Sequence, residues 1–93
     1  MSKAKEVVGT VEVVNQLGLH ARAASKLVSQ ANKFDSEVYV GRGETEVNGK
    51  SILGVLMLAC PKGVSIQLRC EGPDAQEAFD ALAALVRDGF GEL

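Results

Sequence analysis

Residues 64–71 alternate strictly between apolar and polar side chains, and this pattern constrains the fold more than any other feature of the chain. The apolar positions are Val64, Ile66, Leu68 and Cys70, and the polar positions are Ser65, Gln67, Arg69 and Glu71. Because successive side chains of a strand point to opposite faces, the pattern predicts a strand with one buried and one solvated face. Near the start of the chain, Val11 and Val13 alternate with Thr10 and Glu12 in the same way. We therefore expect a sheet that helices cover on one face only.

The remaining strands and helices follow from periodicity and turn residues. Strands are predicted over 7–14, 37–40 and 44–47, with a turn at 41–43 between the last two. A helix over 21–32 buries a stripe made of Ala24, Leu27, Val28 and Ala31. A short apolar helix begins at Ser51 and ends before Pro61. The order of elements, completed by a C-terminal helix, is β-α-β-β-α-β-α.

The last helix has a start signal and a stop signal. Asp74 and Glu77 form a capping-box-like start after the strand break at Gly72-Pro73, and Gly89 provides a C-cap. Its buried stripe is expected to consist of Ala75, Ala78, Phe79, Leu82 and Leu85 or Val86.

Length and composition set the class of protein. Ninety-three residues make a single domain over 1–93, with 12 acidic against 10 basic side chains. This balance argues against nucleic acid or an anionic membrane as a partner, since both attract a basic surface. With neither a signal peptide nor an apolar run of the ~20 residues that a span needs, we expect a cytoplasmic protein. One histidine and two separated cysteines, Cys60 and Cys70, cannot supply a zinc or iron–sulfur ligand set, so no metal site is expected and both cysteines are interpreted as structural.

The one histidine, His20, lies between the first strand and the first helix, two positions before Arg22. The first N–H groups of a helix lack intrahelical partners, and the helix dipole makes that end electropositive. Serine, threonine, aspartate and asparagine usually cap these groups, whereas here the N–H groups are expected to stay free for an anion. A phosphoryl group on the imidazole is the anion that fits best. Histidine can also serve as a simple cap or surface residue, and Arg22 as a solvated helix residue.

Two features favour a carrier over a hydrolase. The sequence offers no evident base that would position a water molecule, and it has no phosphate-binding loop.

Ser51 and the apolar residues after it allow two interpretations each. Serine is a preferred N-cap and a helix begins here, which favours capping, although a phosphorylation site is compatible with the same position. The apolar residues 52–58 could belong entirely to the core. Since they occupy every side of a helix, part of this run is expected to be exposed.

The chain resembles the HPr family, the histidine-containing phosphocarriers of the bacterial phosphoenolpyruvate–sugar phosphotransferase system. Two segments carry the resemblance: Gly18-Leu19-His20-Ala21-Arg22, and Asn48-Gly49-Lys50-Ser51-Ile52-Leu53-Gly54-Val55-Leu56. The resemblance extends over about residues 7–91. It implies an α+β fold, an open-faced β-sandwich in which three helices lie on one face of a four-stranded antiparallel sheet.

The resemblance also implies roles for particular residues. His20 would accept a phosphoryl group on Nδ1 from enzyme I and pass it to enzyme II A components, with Arg22 neutralising the phosphoryl oxygens. Ser51 matches a serine that an HPr serine kinase/phosphorylase modifies in many members. Ile52, Leu53 and Leu56 would dock partners. A monomer that needs no cofactor is implied, and the protein would be a co-substrate of phosphotransfer, not an enzyme.

One departure from the family pattern keeps alternatives open. The family usually has proline after the arginine, where this chain has Ala23. Alanine restores one N–H group to the first helical turn, so we expect altered stability or transfer of the phosphoryl group. The chain could instead be a regulatory or nitrogen-related paralogue, or a regulator that docks without accepting phosphate. A non-catalytic binding module of the ferredoxin-like type is the alternative from another class.

Overall fold

The sheet is the frame on which the rest of the molecule is built. The computed structural model describes residues 5–93, and within them four antiparallel strands pair in the order β1-β4-β2-β3. The strands are β1 (Lys5–Glu12), β2 (Glu37–Arg42), β3 (Thr45–Asn48) and β4 (Ser65–Gly72). The central strand β4 is the one whose alternation was clearest in the sequence. Val38 and Val7 face its Cys70 from either side, and Ile66 lies opposite Val11.

Three α-helices and a short 3₁₀ turn complete the described part of the chain. They are α1 (Ala21–Ala31), α2 (Ile52–Met57), α3 (Ala75–Arg87) and the 3₁₀ turn Gly89–Gly91. The predicted α+β class, with an antiparallel four-stranded sheet and three helices, is confirmed. No helix among residues 5–93 combines the length and apolar character that crossing a bilayer requires.

The core lies between the helices and the inner face of the sheet. Buried positions of the first helix are Ala23, Ala24, Leu27, Val28 and Ala31, and those of the last are Ala75, Ala78, Leu82, Ala83 and Val86. The predicted stripes are therefore confirmed, with Val86 as the buried member of the Leu85 or Val86 alternative, except that Phe79 is only half-buried. Cys60 and Cys70 are both buried, as a structural interpretation requires.

The outer face of the sheet is polar and carries a group of charged side chains around Arg69. Its guanidinium donates to Glu46 at 2.8 Å and to Glu6 at 3.3 Å, and it lies 4.0 Å from the centre of the Tyr39 ring. Through these contacts, Arg69 of β4 links all four strands across the solvent-facing side of the sheet. The open face predicted from the 64–71 alternation is thus occupied by charge pairs.

Strand boundaries differ from the prediction by two residues at β1 and β2 and by one residue at β3 and β4. The first strand ends at Glu12 instead of reaching residue 14, and β2 continues through Arg42. The second difference has a tertiary cause, since Gly41 pairs with Glu46 on one side and with Gln67 on the other. Sheet pairing therefore overrides the turn preference of Gly41, and the turn is reduced to residues 43–44.

The capping box predicted for α3 is wrong. Asp74 occupies the N-cap position, but its side chain makes no capping hydrogen bond. Its carboxylate instead accepts hydrogen bonds from the backbone N–H groups of Asp35 and Ser36 and from the Ser36 hydroxyl, at 2.9, 2.8 and 2.6 Å. The Asp74 carboxylate therefore binds donors of a segment distant in sequence and not the N–H groups of its own helix. At the other end of α3, Gly89 adopts a φ of 64°, in keeping with its predicted capping role.

Candidate functional site

His20 is the N-cap residue of α1. Its backbone is extended, with φ −72° and ψ 179°, and its carbonyl accepts the first helical hydrogen bond from Ala24 N at 2.8 Å. The imidazole makes no capping hydrogen bond. The N–H groups of Ala21, Arg22 and Ala23 come before the first intrahelical bond, so they have no partner within the helix. The predicted location of His20 is therefore the observed one.

The ring of His20 is held by a residue from the far end of the chain. Nε2 lies 2.6 Å from Oε2 of Glu92, and the two side chains are 28% and 19% exposed. Within residues 5–93 this is the one hydrogen bond of the ring, which leaves Nδ1 without a protein partner there. Arg22, by contrast, is exposed in the first turn of α1 and does not bind the imidazole.

Asn15 is the second side chain that binds Glu92. It is fully buried, and its Nδ2 donates to Gly18 O at 2.8 Å and to Oε1 of Glu92 at 2.9 Å. Its own Oδ1 has no partner among the described residues. Donation from Asn15, and then from His20, lowers the pKa of Glu92 from its usual range. Glu92 is therefore an anionic acceptor that two side chains hold in place.

Close packing fixes the loop that carries His20. Gly18 has a φ of 64°, and a Cβ there would lie 2.3 Å from the carbonyl oxygen of Cys60. The next residue, Leu19, donates its N–H to the same oxygen at 2.9 Å. Only glycine can therefore bring the chain this close to Cys60, and the contact sets the direction in which His20 enters the helix.

The C-terminal segment is folded back onto the same end of α1. Phe90 is 1% exposed and has a φ of 58°, and its carbonyl accepts a hydrogen bond from Lys26 Nζ at 2.7 Å. The buried ring and this hydrogen bond place Glu92, two residues further on, beside His20.

Ser51 lies at the N-cap of α2, where its Oγ accepts a hydrogen bond from Gly54 N at 3.2 Å. The capping interpretation is confirmed. Phosphorylation of Ser51 stays a prediction.

The predicted docking residues do not share one environment. Ile52 and Leu53 are 45% and 70% exposed, whereas Leu56 is half-buried and packs against the core. Met57, in the same apolar run, is 75% exposed, and Leu17, which was not a predicted docking residue, is 67% exposed. The expectation that part of the 52–58 run is exposed is confirmed.

Sequence reasoning missed Glu92 and Asn15. Glu92 is separated from His20 by 72 positions and belongs to no local motif around it. Asn15 carried a weak signal, since asparagine is common in turns, where its side chain hydrogen-bonds to nearby backbone groups. Their convergence on His20 could not be inferred without the fold.

The chain is similar in sequence and in fold to known phosphocarrier proteins. The family model of the phosphotransferase-system HPr component, described as its phosphorylation site, matches residues 7–88. The phosphocarrier protein HPr of Neisseria meningitidis is 48% identical over 83 residues, which are 89% of this chain and 93% of that protein. The phosphocarrier protein NPr of Shewanella violacea is 46% identical over 88% of this chain and 90% of its own length. The structure of HPr-C-His from Thermoanaerobacter tengcongensis superposes with a TM-score of 0.88 at 43% identity, covering 96% of this chain and 98% of that one.

The fold and the matches together define a class, the small α+β phosphocarrier domains with a histidine at a helix N-terminus. Within this class, the chain belongs to the HPr family of the phosphotransferase system.

Proposed function

We propose that this protein accepts a phosphoryl group on Nδ1 of His20 from phospho-enzyme I and donates it to enzyme II A components. One observation carries the proposal. The imidazole lies at the N-cap of α1 without capping it, so that Nδ1 is unpaired among the described residues and three N–H groups lie in the adjoining turn. A neutral imidazole nitrogen is a good nucleophile, and a helix N-terminus is an anion site.

The energetics suit a carrier. A helix end contributes roughly 0.3–1 kcal/mol to an adjacent anion, and a hydrogen bond to a charged group roughly 1.5–3 kcal/mol. A total of a few kcal/mol adjusts the transfer potential of the phosphoryl group without making the N–P bond inert. Among residues 5–93, Glu92 is the one carboxylate that contacts the ring, and it lies on Nε2, away from the Nδ1 side where a base would have to activate water for attack on the phosphoryl group. The chain is therefore proposed as a co-substrate of phosphotransfer, with no cofactor or metal of its own.

We assign partner docking to the exposed surface of α2, the helix that packs against α1. Ile52 and Leu53 provide exposed apolar area, with Leu56 at its half-buried edge, and Arg22 adds an exposed cation at the start of α1. Phosphorylation of Ser51 by an HPr serine kinase/phosphorylase would place negative charge beside this surface and weaken docking to an acidic partner. A cytoplasmic, monomeric protein forming one domain over 1–93 completes the proposal.

A second candidate is a nitrogen-related carrier with the same chemistry. The relative named NPr, 46% identical over nearly the same span, supports this alternative. The two candidates differ in which enzyme I phosphorylates His20 and which acceptor takes the group onward. Parallel assays with both types of enzyme I separate them.

The test of the carrier function is phosphorylation in vitro. The full chain is incubated with phosphoenolpyruvate, Mg²⁺ and enzyme I, and its intact mass is measured at mildly alkaline pH. We expect one acid-labile phosphate in the wild-type protein and in Ser51→Ala, and none in His20→Ala. If an enzyme I that labels a control carrier leaves the wild-type protein unlabelled, the proposal is wrong and a docking-only regulator takes its place.

A further inference from the structure

We propose that Glu92, held by Asn15, is a positioning residue for phosphotransfer: it keeps the proton of His20 on Nε2 and balances the charge that the ring acquires. The inference rests on the proposed function and adds a group that the sequence analysis did not identify. The observation behind it is the chain of hydrogen bonds from Asn15 Nδ2 to Glu92 and from Glu92 to His20, at 2.9 and 2.6 Å.

The first step concerns the tautomer of the imidazole. A neutral imidazole carries one proton, and an ionised carboxylate can only accept hydrogen bonds. With Glu92 on Nε2, the proton must lie on Nε2, so the lone pair of the neutral ring lies on Nδ1. Asn15 donates to Oε1 and leaves Oε2 for the ring, which fixes the carboxylate in its orientation. The nucleophilic atom is thereby selected by a residue on the opposite side of the ring.

The second step concerns charge. The Nδ1 lone pair forms the new N–P bond while the bond between phosphorus and the donor breaks, and the Nε2 proton stays in place. The product is a cationic phosphoimidazolium ring, whose charge Glu92 balances from 2.6 Å. When an acceptor takes the phosphoryl group, the electron pair of the N–P bond returns to Nδ1 and the ring becomes neutral again. No proton has to move in either direction. Glu92 orients the ring and stabilises its positive charge, which is also what the carboxylate of a Ser-His-Asp triad does for its histidine.

The structure indicates what the isosteric variant Glu92→Gln would do. Asn15 Nδ2 also donates to Gly18 O, so it cannot turn away without leaving that carbonyl unpaired. The new amide would therefore direct its oxygen to Asn15 and its NH₂ group to Nε2. An NH₂ donor facing Nε2 favours the Nδ1–H tautomer, in which the nucleophilic lone pair is lost.

The experiment combines a tautomer measurement with a rate. Imidazole ¹⁵N shifts recorded over a pH series and compared on its alkaline plateau should show Nε2–H in the wild-type protein and a shift toward Nδ1–H in Glu92→Gln. The rate of phosphorylation by enzyme I should fall about 10- to 100-fold, the loss expected for one hydrogen bond to a charged group. Glu92→Asp keeps the charge and should recover part of the rate. Glu44→Gln removes the same charge from an exposed turn and should change neither measurement.

The outcomes separate this inference from the proposed function. If the wild-type protein takes no phosphate, the carrier function itself is wrong. If Glu92→Gln is phosphorylated at the wild-type rate with Nε2 still protonated, the positioning role is wrong and the carrier stands. Thermal unfolding of each variant tests for global loss of structure, to which Glu92, at the partly exposed end of the chain, should contribute little. Asn15→Ala leaves Glu92 an acceptor, so it should loosen the carboxylate and lower the phosphorylation rate while Nε2 stays protonated. If this buried substitution does not fold, the Glu92 variants decide the question.

Discussion

Lys26 donates a hydrogen bond from Nζ to the carbonyl oxygen of Phe90 at 2.7 Å, joining residues 64 positions apart. The contact ties the last described turn of the chain to the second turn of α1. Phe90 adds a buried ring at the same place. Since Glu92 follows two residues later, this hydrogen bond and this ring determine how precisely the carboxylate is placed against His20.

Lys26→Met tests this dependence because it keeps the aliphatic stem and removes the donor. We expect faster amide exchange over residues 89–92 and a mixture of His20 tautomers, measured by hydrogen exchange and imidazole ¹⁵N shifts. The cost in folding stability should be about 0.5–1.5 kcal/mol, as for an ordinary hydrogen bond. Lys33→Met, just beyond α1, is the matched control. An unchanged His20 spectrum in Lys26→Met would show that Phe90 burial alone holds the segment.

Ala23→Pro should shorten the lifetime of the phosphohistidine. Ala23 is the third residue of α1, and its N–H is among the groups without an intrahelical partner. Proline removes that donor from the anion site, which should shorten the half-life several-fold and at most about 10-fold. The half-life is followed by intact mass after removal of enzyme I, with circular dichroism as a check that the helix survives. Equal half-lives and equal transfer rates would show that the Ala23 N–H does not contribute to the stability or the transfer of the phosphoryl group.

Ser51→Ala should destabilise the protein by about 1 kcal/mol, because the helix α2 loses its N-cap acceptor. Ser51→Asp should retain most of the stability, since aspartate caps as well as serine, while adding the negative charge of a modified serine. Urea unfolding of the two variants beside Ser25→Ala, an exposed serine of α1, measures the difference. Equal losses in Ser51→Ala and Ser51→Asp would contradict the capping role.

Asp74 should make folding stability depend on acid pH. Hydrogen bonds from the Ser36 hydroxyl and from the Asp35 and Ser36 backbone hold its pKa below the ordinary value of 3.8. A carboxyl whose pKa is lower in the folded state stabilises that state above the unfolded pKa. This contribution is lost as the pH falls from 3.8 through the folded value.

The comparison that isolates this effect is unfolding of wild type and Asp74→Asn at neutral pH and at successive values below pH 4. Asp74→Asn should be less stable at neutral pH and should lose less stability on acidification. Asp80→Asn, on the exposed side of α3, is the control and should follow the wild-type curve closely. Parallel curves for wild type and Asp74→Asn would rule out Asp74 as a source of the acid sensitivity.

Local patterns predicted the elements of this fold because each element buries a regular stripe. The alternation around Leu68 required a two-faced sheet, and the spacing of Leu27 and Val28 required an amphipathic helix. Such patterns show which face of an element is buried, but they do not show which other elements pack or pair with it. For this reason the end of β2 at Arg42, set by two neighbouring strands, differed from the turn signal in the sequence.

The site was predictable only as far as it is local. The position of His20 at the N-cap of α1 follows from the chain on either side of it. The Glu92 contact depends on the docking of Phe90, and the Ser36 contact of Asp74 depends on the packing of two loops. Capping preference at Asp74 is worth about 1 kcal/mol and was outweighed by three donors that only the tertiary structure provides.

The pairing of β1 with β4 has a consequence for how the sheet assembles and comes apart. β1 pairs with β4, the last strand in sequence, and forms one edge of the sheet. Val11 is the one buried residue of β1. This pairing closes a loop over most of the chain, which raises the contact order. The entropy of loop closure is lost before the strand contacts stabilise the sheet, and this slows folding. We expect β1 to dock last during folding and its amides to exchange before those of β2 and β4, whose shared ladder would survive as the most persistent unit of the sheet.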